Sequence, residues 1–314
     1  MKIAVWGAGA IGLLWGARLV LAGEDVFLVT RTRKQRDELN RNGINLTEPS
    51  GASCCISVRA VWAGEKMPPF DLVLLTVKQT ALPPLVPLLA QRCRQGASLL
   101  LMQNGMGQED LLKAEAPGDH IYRAVTTEGA LREGTVGVIH TGMGETHIGP
   151  IEGGGETRVI RWIRGISHQG LPVAFNSGID RLTWQKLAIN CVINPLTSLF
   201  RVKNGGLLAF DFFPYWVDSI LEEVVRTAEE TGIHLSREEL KEKVYHICAR
   251  TADNRSSMLE DLSRGKPTEI SFINGFIVRQ GKQSGVKTPM NGLLYDLVRT
   301  AEGSHGEAEV STRE

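Results

Sequence analysis

The sequence predicts an α/β fold in two parts, an N-terminal domain built on a parallel sheet and a mostly α-helical C-terminal domain. Its 314 residues suggest two domains. Short apolar runs alternate with helical segments in the first part, as in chains of βαβ units. Strand patterns nearly vanish beyond about residue 176. We therefore expect a first domain over residues 1–176 and a second over 177–314, with a mobile tail from Glu302.

The first 31 residues carry the strongest pattern. Lys2–Trp6 is typical of a buried strand, Leu13–Ala22 of a helix and Val26–Val29 of a second strand. The turn after the first strand has the spacing G-x-G-x-x-G and comprises Gly7, Ala8, Gly9, Ala10, Ile11 and Gly12. This order predicts a Rossmann-type, dinucleotide-binding domain. The alternatives are a tight structural turn, or a signal peptide or membrane helix, which the charge of Arg18 disfavours.

Each glycine of the turn has its own physical role. Gly7 lets the chain turn sharply, Gly9 lets a pyrophosphate approach the backbone, and Gly12 lets the helix pack closely on the strand. The N-terminus of the helix then offers unpaired N–H groups to the phosphates.

The residue after the second strand indicates which nicotinamide is used. An NAD-binding domain usually has Asp or Glu there, whereas this chain has Arg31 within a basic run. A guanidinium can pair with a 2′-phosphate through a bidentate contact. The sequence therefore predicts NADPH, and a solvated basic loop is the alternative.

Two polar residues follow later strands of the predicted sheet. Lys78 follows the apolar run Asp71–Val77, and Asn104 follows Ala97–Met102. Ligands of open parallel sheets bind beyond the carboxyl ends of the strands. Both residues are therefore candidates for ligand contact. A solvated lysine and an Asn-Gly turn are the alternatives.

The last part of the N-terminal domain changes character. Alternating residues predict an antiparallel hairpin or edge strands at Tyr122–Gly129, Val136–His140 and Thr146–Ile148. The glycine-rich run Glu152–Glu156 predicts a flexible loop.

The C-terminal domain is expected to be helical over residues 180–200, 211–231, 236–262 and 269–284. In the first segment Lys186, Asn190 and Asn194 are four residues apart and share one face of a helix. Pro195 is expected to kink or end that helix. Buried polar groups need partners, so this stripe either forms a structural hydrogen-bond network or lines a wet cleft.

A second polar constellation lies further along the chain. Asn254–Ser257 begins an otherwise apolar turn. Thr268 is predicted to be an N-cap, with Glu269 in the first turn of the next helix. On position alone, Ser257 could be an ordinary helix-start serine and Glu269 an ordinary first-turn glutamate.

Composition excludes several classes of function. The formal net charge of +0 gives no reason to expect a nucleic-acid or membrane partner. The five cysteines form no C-x-x-C pair and the seven histidines are scattered, so no metal site is expected. With no signal peptide recognised, these features suggest a reduced, cytoplasmic protein. The sequence leaves open a monomer or a homodimer.

These motifs together resemble those of the ketopantoate reductases (2-dehydropantoate 2-reductases). The resemblance runs in order from Met1 to about Thr300. It rests on the glycine turn, Lys78, Asn104–Gly107, Lys186 with Asn190 and Asn194-Pro195, Ser256–Asp261 and Thr268–Ile270. It implies NADPH-dependent reduction of 2-dehydropantoate to (R)-pantoate, a step of pantothenate and coenzyme A synthesis.

The resemblance also implies roles for individual residues. Lys186 would donate a proton to the ketone oxygen, and Glu269 would contact the cofactor and assist catalysis. Substrate would be held by Lys186, Asn104, Asn190, Asn194, Asn204, Asn254, Arg255, Ser256 and Ser257. NADPH would be held by Gly7, Ala8, Gly9, Ala10, Ile11, Gly12, Arg31, Lys78, Asn104, Ala130 and Glu269.

Elementary chemistry is consistent with these roles. Hydride delivery to a 2-keto carbon develops negative charge on its oxygen, and an ammonium group can stabilise that charge and supply the proton. We expect the substrate and the cofactor to meet in a cleft between the two domains. The alternatives are a reductase of a different 2-keto acid and a non-catalytic, NADPH-sensing module.

Overall fold

A computed structural model describes residues 1–115, 120–152 and 157–308, the last five by their backbone only. The chain divides into two compact units. The first comprises Met1–Gln103 and Glu109–Ile179, and the second comprises Asn104–Gln108 and the chain from Asp180 onwards. Most of the expected loop at Glu152–Glu156, and residues 309–314 of the expected tail, lie outside the described residues.

The first unit contains an eight-stranded and a four-stranded sheet. Its strands are β1 (Lys2–Trp6), β2 (Asp25–Thr30), β3 (Ile44–Thr47), β4 (Ser53–Ile56), β5 (Arg59–Trp62), β6 (Leu72–Leu75), β7 (Ser98–Leu101), β8 (Ile121–Thr126), β9 (Gly129–Glu133), β10 (Gly137–Gly142), β11 (Thr146–Pro150) and β12 (Val173–Phe175). The large sheet has the order β12-β11-β8-β7-β6-β1-β2-β5, and the small one the order β4-β3-β10-β9.

The large sheet is parallel from β5 to β8. The chain leaves β1 for β2 on one side and later returns to β6 on the other. This change of direction makes the carboxyl end of β1 the point where open α/β sheets bind their ligands. The glycine turn lies there.

The helices of the first unit are α1 (Ala10–Leu21), α2 (Arg33–Asn42), α3 (Val86–Arg94), α4 (Gln108–Lys113, whose first residue belongs to the second unit) and α5 (Arg158–His168). Helix α1 packs against strands of both sheets, and its side chains Leu13 and Leu14 are fully buried with Val5 and Leu46. A helix covered on two sides needs apolar residues around most of its circumference. This explains the apolar N-terminal stretch. None of the described helices is long and apolar enough to cross a membrane.

The structure corrects the expected strands of residues 121–150. Strand β8 ends at Thr126 and lies inside the large sheet, parallel to β7 and antiparallel to β11. Gly129 instead begins β9, a strand that the sequence did not indicate. Strand β9 lies at the edge of the small sheet and is largely exposed, so it carries no apolar run that would reveal it.

The second unit is built from helices α6 (Ile179–Phe200, whose first residue belongs to the first unit), α7 (Phe213–Glu229), α8 (Arg237–Arg250), α9 (Ser257–Ser263), α10 (Asn274–Ser284) and α11 (Pro289–Ala308). The α/β class with a helical C-terminal part is therefore confirmed. Two expectations need correction. The segment 236–262 is two helices, α8 and α9, and a helix begins at Pro289 where none was expected.

Helix α11 also replaces the start of the expected tail. Glu302 lies within it, and its carboxylate accepts a hydrogen bond from the backbone N–H of Thr268 at 2.7 Å. The buried residues Asn291, Leu294 and Val298 follow a helical spacing, so α11 packs against the core of this unit.

Pro195 does not end the helix that contains it, since α6 continues to Phe200. A proline cannot donate to the carbonyl four residues earlier, here that of Cys191. The side chain of Asn274 donates to this carbonyl at 3.0 Å and to Oδ1 of Asn291 at 2.9 Å. Asn291 in turn donates to the buried carboxylate of Glu223 at 2.8 Å. A buried side-chain network thus supplies the hydrogen bond that the helix lacks.

We predict that Asn274→Ala lowers the free energy of unfolding by about 1–3 kcal/mol, because it leaves the buried carbonyl of Cys191 without a partner. Urea titration followed by circular dichroism measures this change. Gln283→Ala, at an exposed position of the same helix, is the control and should change stability by less than about 0.5 kcal/mol.

The same loss should shrink in a Pro195→Ala background, where a backbone N–H is restored to the helix. An equal loss with and without Pro195 would show that Asn274 does not compensate for the proline.

Candidate active site

The turn after β1 holds its shape through backbone contacts. Gly7 has φ +116°, in the left-handed region, and its N–H donates to the carbonyl of Val29 at 3.0 Å. A Cβ atom at Gly7 would lie 2.8 Å from the backbone nitrogen of Val77. Only glycine satisfies both conditions.

The other two glycines differ in what surrounds them. A Cβ atom at Gly12 would lie 1.8 Å from the carbonyl oxygen of Gly7, so the helix and the turn are in direct contact. A Cβ atom at Gly9 would meet no atom within 4 Å. Gly9 is the N-cap of α1, with no side-chain cap and no acidic residue in the first turn. The helix N-terminus at Gly9, Ala10 and Ile11 therefore fits a pyrophosphate group.

Two side chains that the sequence did not single out support this turn. The hydroxyl of Thr76 donates to the carbonyl of Gly7 at 2.7 Å. The buried amide of Gln35 donates to the carbonyls of Ala8 at 2.9 Å and Thr135 at 3.0 Å. Both come from elements distant in sequence, so only the folded structure reveals them.

The remaining cofactor candidates lie at different places in the first unit. Arg31 is exposed directly after β2, and Lys78 is exposed at the start of a short 3₁₀ helix, Gln79–Ala81. Because β1, β2 and β6 are parallel, these residues and the glycine turn follow strand ends at one edge of the sheet. Ala130 lies in β9 of the other sheet, paired with His140, and its cofactor role stays a prediction.

The polar stripe of the second unit lies on α6. Lys186 and Asn190 are half-buried, and Asn194 is buried. Burial lowers the pKa of the Lys186 amine to about 8, although the charge of Glu269 acts in the opposite direction. Glu269 is itself buried. The two candidate catalytic residues thus interact electrostatically within one unit.

The chain around Glu269 differs from the expected helix start. Glu269, rather than Thr268, occupies the N-cap position of the turn that follows, and its side chain makes no capping hydrogen bond. The hydroxyl of Thr268 still accepts a hydrogen bond from the N–H of Ile270 at 3.2 Å. The turn that follows is a short 3₁₀ helix, Ile270–Phe272, and α10 begins only at Asn274.

Asn104 belongs to a segment that packs with the helical unit, Asn104–Gln108. The N–H of Met106 donates to the carbonyl of Phe272 at 2.9 Å. A Cβ atom at Gly105, which has φ +82°, would lie 2.3 Å from the same oxygen. This contact joins the segment of Asn104 to the turn that follows Glu269.

The other substrate candidates are Asn204, which begins a short 3₁₀ helix (Asn204–Ala209), and Asn254–Ser257, which lead from α8 into the first residue of α9. The N–H of Asn204 donates to the carbonyl of Asn254 at 2.9 Å, and its amide donates to the hydroxyl of Thr251 at 2.8 Å. The Thr251 hydroxyl itself donates to Ile247, which fixes the orientation of the Asn204 amide. Oδ1 of Asn204 is buried and has no hydrogen-bond partner among the described residues.

Three neighbouring residues differ in how fully they are engaged. Ser256 is buried, caps α9 and lies 2.7 Å from the hydroxyl of Thr197, so its hydroxyl is structurally engaged. Arg255 pairs with Glu260 at 2.7 Å. Ser257 is exposed in the first turn of α9.

Comparison with known proteins identifies the family. The family model described as ketopantoate reductase PanE/ApbA matches residues 3–153, and the model of its C-terminal domain matches residues 178–302. The chain belongs to the ketopantoate reductase family. The resemblance inferred from the motifs is therefore confirmed.

Curated relatives of the family match over nearly the whole chain. The 2-dehydropantoate 2-reductase of Vibrio cholerae is 36% identical over 98% of this chain and 100% of its own. The protein of the same name from Halobacterium salinarum is 32% identical over 96% of this chain and 99% of its own.

Solved structures share the fold. A 2-dehydropantoate 2-reductase from Geobacter metallireducens has a TM-score of 0.88 at 26% identity, covering 96% of this chain and 100% of its own. A D-mandelate dehydrogenase solved with NADH and anilino(oxo)acetate has a TM-score of 0.91 at 27% identity, covering 97% and 99%. Family and neighbours together support an oxidoreductase that uses a nicotinamide cofactor.

We predict that Gly9→Ala weakens binding of the nicotinamide cofactor at least about tenfold without destabilising the fold. Its added methyl group meets no protein atom but occupies the approach to the helix N-terminus. Fluorescence titration and thermal unfolding measure the two effects. Gly12→Ala is the contrast, because its methyl group collides with the turn and should lower the melting temperature.

Unchanged cofactor affinity in Gly9→Ala, with the fold intact, would contradict binding of the pyrophosphate at this turn.

Proposed function

We propose that this protein reduces 2-dehydropantoate to (R)-pantoate with NADPH, and that Lys186 is the proton donor to the ketone oxygen. The observation that carries the proposal is the half-buried lysine beside a buried glutamate, on the motif shared with the ketopantoate reductases. The names of the curated relatives support the same substrate.

The first unit would hold the cofactor. The helix N-terminus at Gly9 would bind the pyrophosphate, and Lys78 would approach from the neighbouring strand end. When bound, the reduced nicotinamide supplies the hydride. The exposed guanidinium of Arg31, where an NAD-binding domain has a carboxylate, favours a cofactor with a 2′-phosphate.

Lys186 would act as the acid. An ordinary lysine has a pKa of about 10.4 and holds its proton tightly at neutral pH. The lowered pKa of Lys186, about 8, keeps the amine mostly protonated at neutral pH while making the proton easier to transfer. Glu269 limits how far the pKa falls, and so keeps the acid charged.

The second unit offers groups suited to the rest of the substrate. Hydroxyl, amide and guanidinium donors at Ser257, Asn254 and Arg255 would bind a carboxylate. The buried, unpartnered Oδ1 of Asn204 is an acceptor and needs a donor, such as a substrate hydroxyl. This favours a keto acid that carries a hydroxyl group on its tail, as 2-dehydropantoate does.

A second candidate function is reduction of an aryl 2-keto acid. The match to a D-mandelate dehydrogenase favours it, since that structure holds NADH and anilino(oxo)acetate. The basic run at Arg31 and the unpartnered acceptor of Asn204 favour the first candidate.

We predict that the purified protein oxidises NADPH with 2-dehydropantoate at a kcat/KM at least about tenfold above that with phenylglyoxylate or pyruvate. A missing hydroxyl would leave the Asn204 acceptor unpaired, at a cost on the order of 1–3 kcal/mol. Loss of NADPH absorbance measures all three rates, and NADH in place of NADPH tests the cofactor.

Faster turnover of phenylglyoxylate would instead support the second function. NADPH binding without turnover of any keto acid would indicate a sensing module.

We predict that kcat/KM for reduction is constant below pH 8 and falls about tenfold per pH unit above it, because only the protonated Lys186 can act as the acid. Glu269→Gln removes a charge that raises this pKa, so the fall should begin at lower pH. Lys186→Ala should lower turnover at least about a hundredfold while NADPH still binds.

Near-normal turnover in Lys186→Ala, or the same pH midpoint in Glu269→Gln and the wild type, would contradict the assigned roles.

A further inference from the structure

The basic segment that follows β2, residues 31–36, has only some of its positive charges paired with carboxylates. Arg36 pairs with Glu65 at 2.7 Å and with Asp37 at 2.8 Å. Lys34 lies 3.9 Å from Glu38, a loose contact of an exposed side chain. In the part of the chain that the structure describes, neither Arg31 nor Arg33 forms an ion pair with a carboxylate. Two guanidinium groups therefore remain available to an anion.

Trp62 contacts both Arg31 and Arg33. It ends β5 and pairs with Thr30, the last residue of β2. Its indole Nε1 donates to the backbone carbonyl of Arg31 at 3.1 Å. The guanidinium of Arg33 lies over its ring, 4.5 Å from the centroid, which is a cation–π distance. One side chain thus positions the backbone of the first arginine and the charge of the second.

The indole is itself held in place. The backbone N–H of Trp62 donates to the carboxylate of Glu65 at 2.6 Å, and the other oxygen of that carboxylate accepts from Arg36, so the backbone that carries the indole is fixed. The backbone at Gly64 lies so close that a Cβ atom there would be 2.3 Å from the ring. The ring therefore has little freedom to move away from Arg33, and the arginine stacked on it is pre-organised.

The start of α2 gives an independent indication. Arg33 is the first residue of this helix, and its first turn contains no acidic residue. The positive end of a helix disfavours nearby cations, so a basic first turn is locally unfavourable. An anion bound there would offset both the helix dipole and the two guanidinium groups.

We infer that Arg33, held by Trp62, is a second guanidinium of the 2′-phosphate subsite, and that Trp62 is a specificity-positioning residue for NADPH over NADH. The inference rests on the proposed use of NADPH. It adds Arg33 and Trp62 to Arg31, and it assigns the preference for NADPH over NADH to these three residues together.

Binding of two nucleotide fragments tests this directly, with no turnover needed. Adenosine 2′,5′-bisphosphate carries the 2′-phosphate, and adenosine 5′-monophosphate lacks it. Calorimetric titration of each gives a ratio of affinities. Arg33→Gln should lower this ratio about tenfold through weaker binding of the bisphosphate, since it removes a charge-assisted contact. Lys34→Gln is the matched control, with the same loss of charge one residue away, and should lower the ratio less than about twofold.

Two variants of Trp62 separate its contacts. Trp62→Leu removes the stacking surface and the Nε1 donor, and should lower the ratio towards that of Arg33→Gln. Trp62→Phe keeps a ring under Arg33 but loses the donor to Arg31, and should lie between Trp62→Leu and the wild type. Unchanged affinity for adenosine 5′-monophosphate confirms that each variant is folded, and if Trp62→Leu fails this check, Trp62→Phe decides the role of the tryptophan.

Equal ratios for Arg33→Gln and Lys34→Gln would overturn the role of Arg33, and a wild-type ratio in the decisive Trp62 variant would overturn that of the tryptophan. A wild-type protein that binds both fragments equally well would instead overturn the use of NADPH itself, which distinguishes the two failures.

Discussion

An ammonium group withdrawn from water is costly unless its surroundings stabilise it, and the helical unit is organised around one such group. The amine of Lys186 is desolvated enough to lower its pKa, while the buried carboxylate of Glu269 opposes that shift. Each residue belongs to an element that other residues hold in place. The side chain of Asn274 donates to the carbonyl of Cys191 in α6, and the N–H of Met106 donates to the carbonyl of Phe272 in the turn after Glu269. The position of the Lys186 ammonium group thus depends on hydrogen bonds in which Lys186 itself takes no part.

The first unit shows the opposite arrangement, since polar groups at its glycine turn have no side-chain partner in the part of the chain that the structure describes. The N-terminus of α1 keeps its backbone N–H groups without a side-chain cap. The side chains of Thr76 and Gln35 donate to the carbonyls of Gly7 and Ala8 in the same turn. These bonds stabilise the turn without using the backbone N–H groups at the start of α1. The small sheet, whose strands pack against α1 in addition to those of the large sheet, accounts for the apolar character of this helix.

Much of this could be predicted because the decisive signals are local. The glycine spacing defines the turn, and the four-residue spacing of Lys186, Asn190 and Asn194 defines one helix face. Strand β9 was missed because an exposed edge strand needs no apolar run. The partners of Pro195 and of the glycine turn were missed because they come from distant parts of the chain. No spacing rule connects Asn274 to Cys191 or Gln35 to Ala8; only the folded backbone brings them within hydrogen-bond distance.

Asn104–Gln108 packs with the helices although strand β7 and most of α4, on either side of it, belong to the other unit. The chain therefore crosses between the units at three peptide linkages rather than one. A gene fragment cut at residue 180 would encode helices that lack a segment of their own unit, and the carbonyl of Phe272 would lose its donor. Dissecting this protein into independently expressed halves requires supplying that short peptide again, as an added segment or by circular permutation.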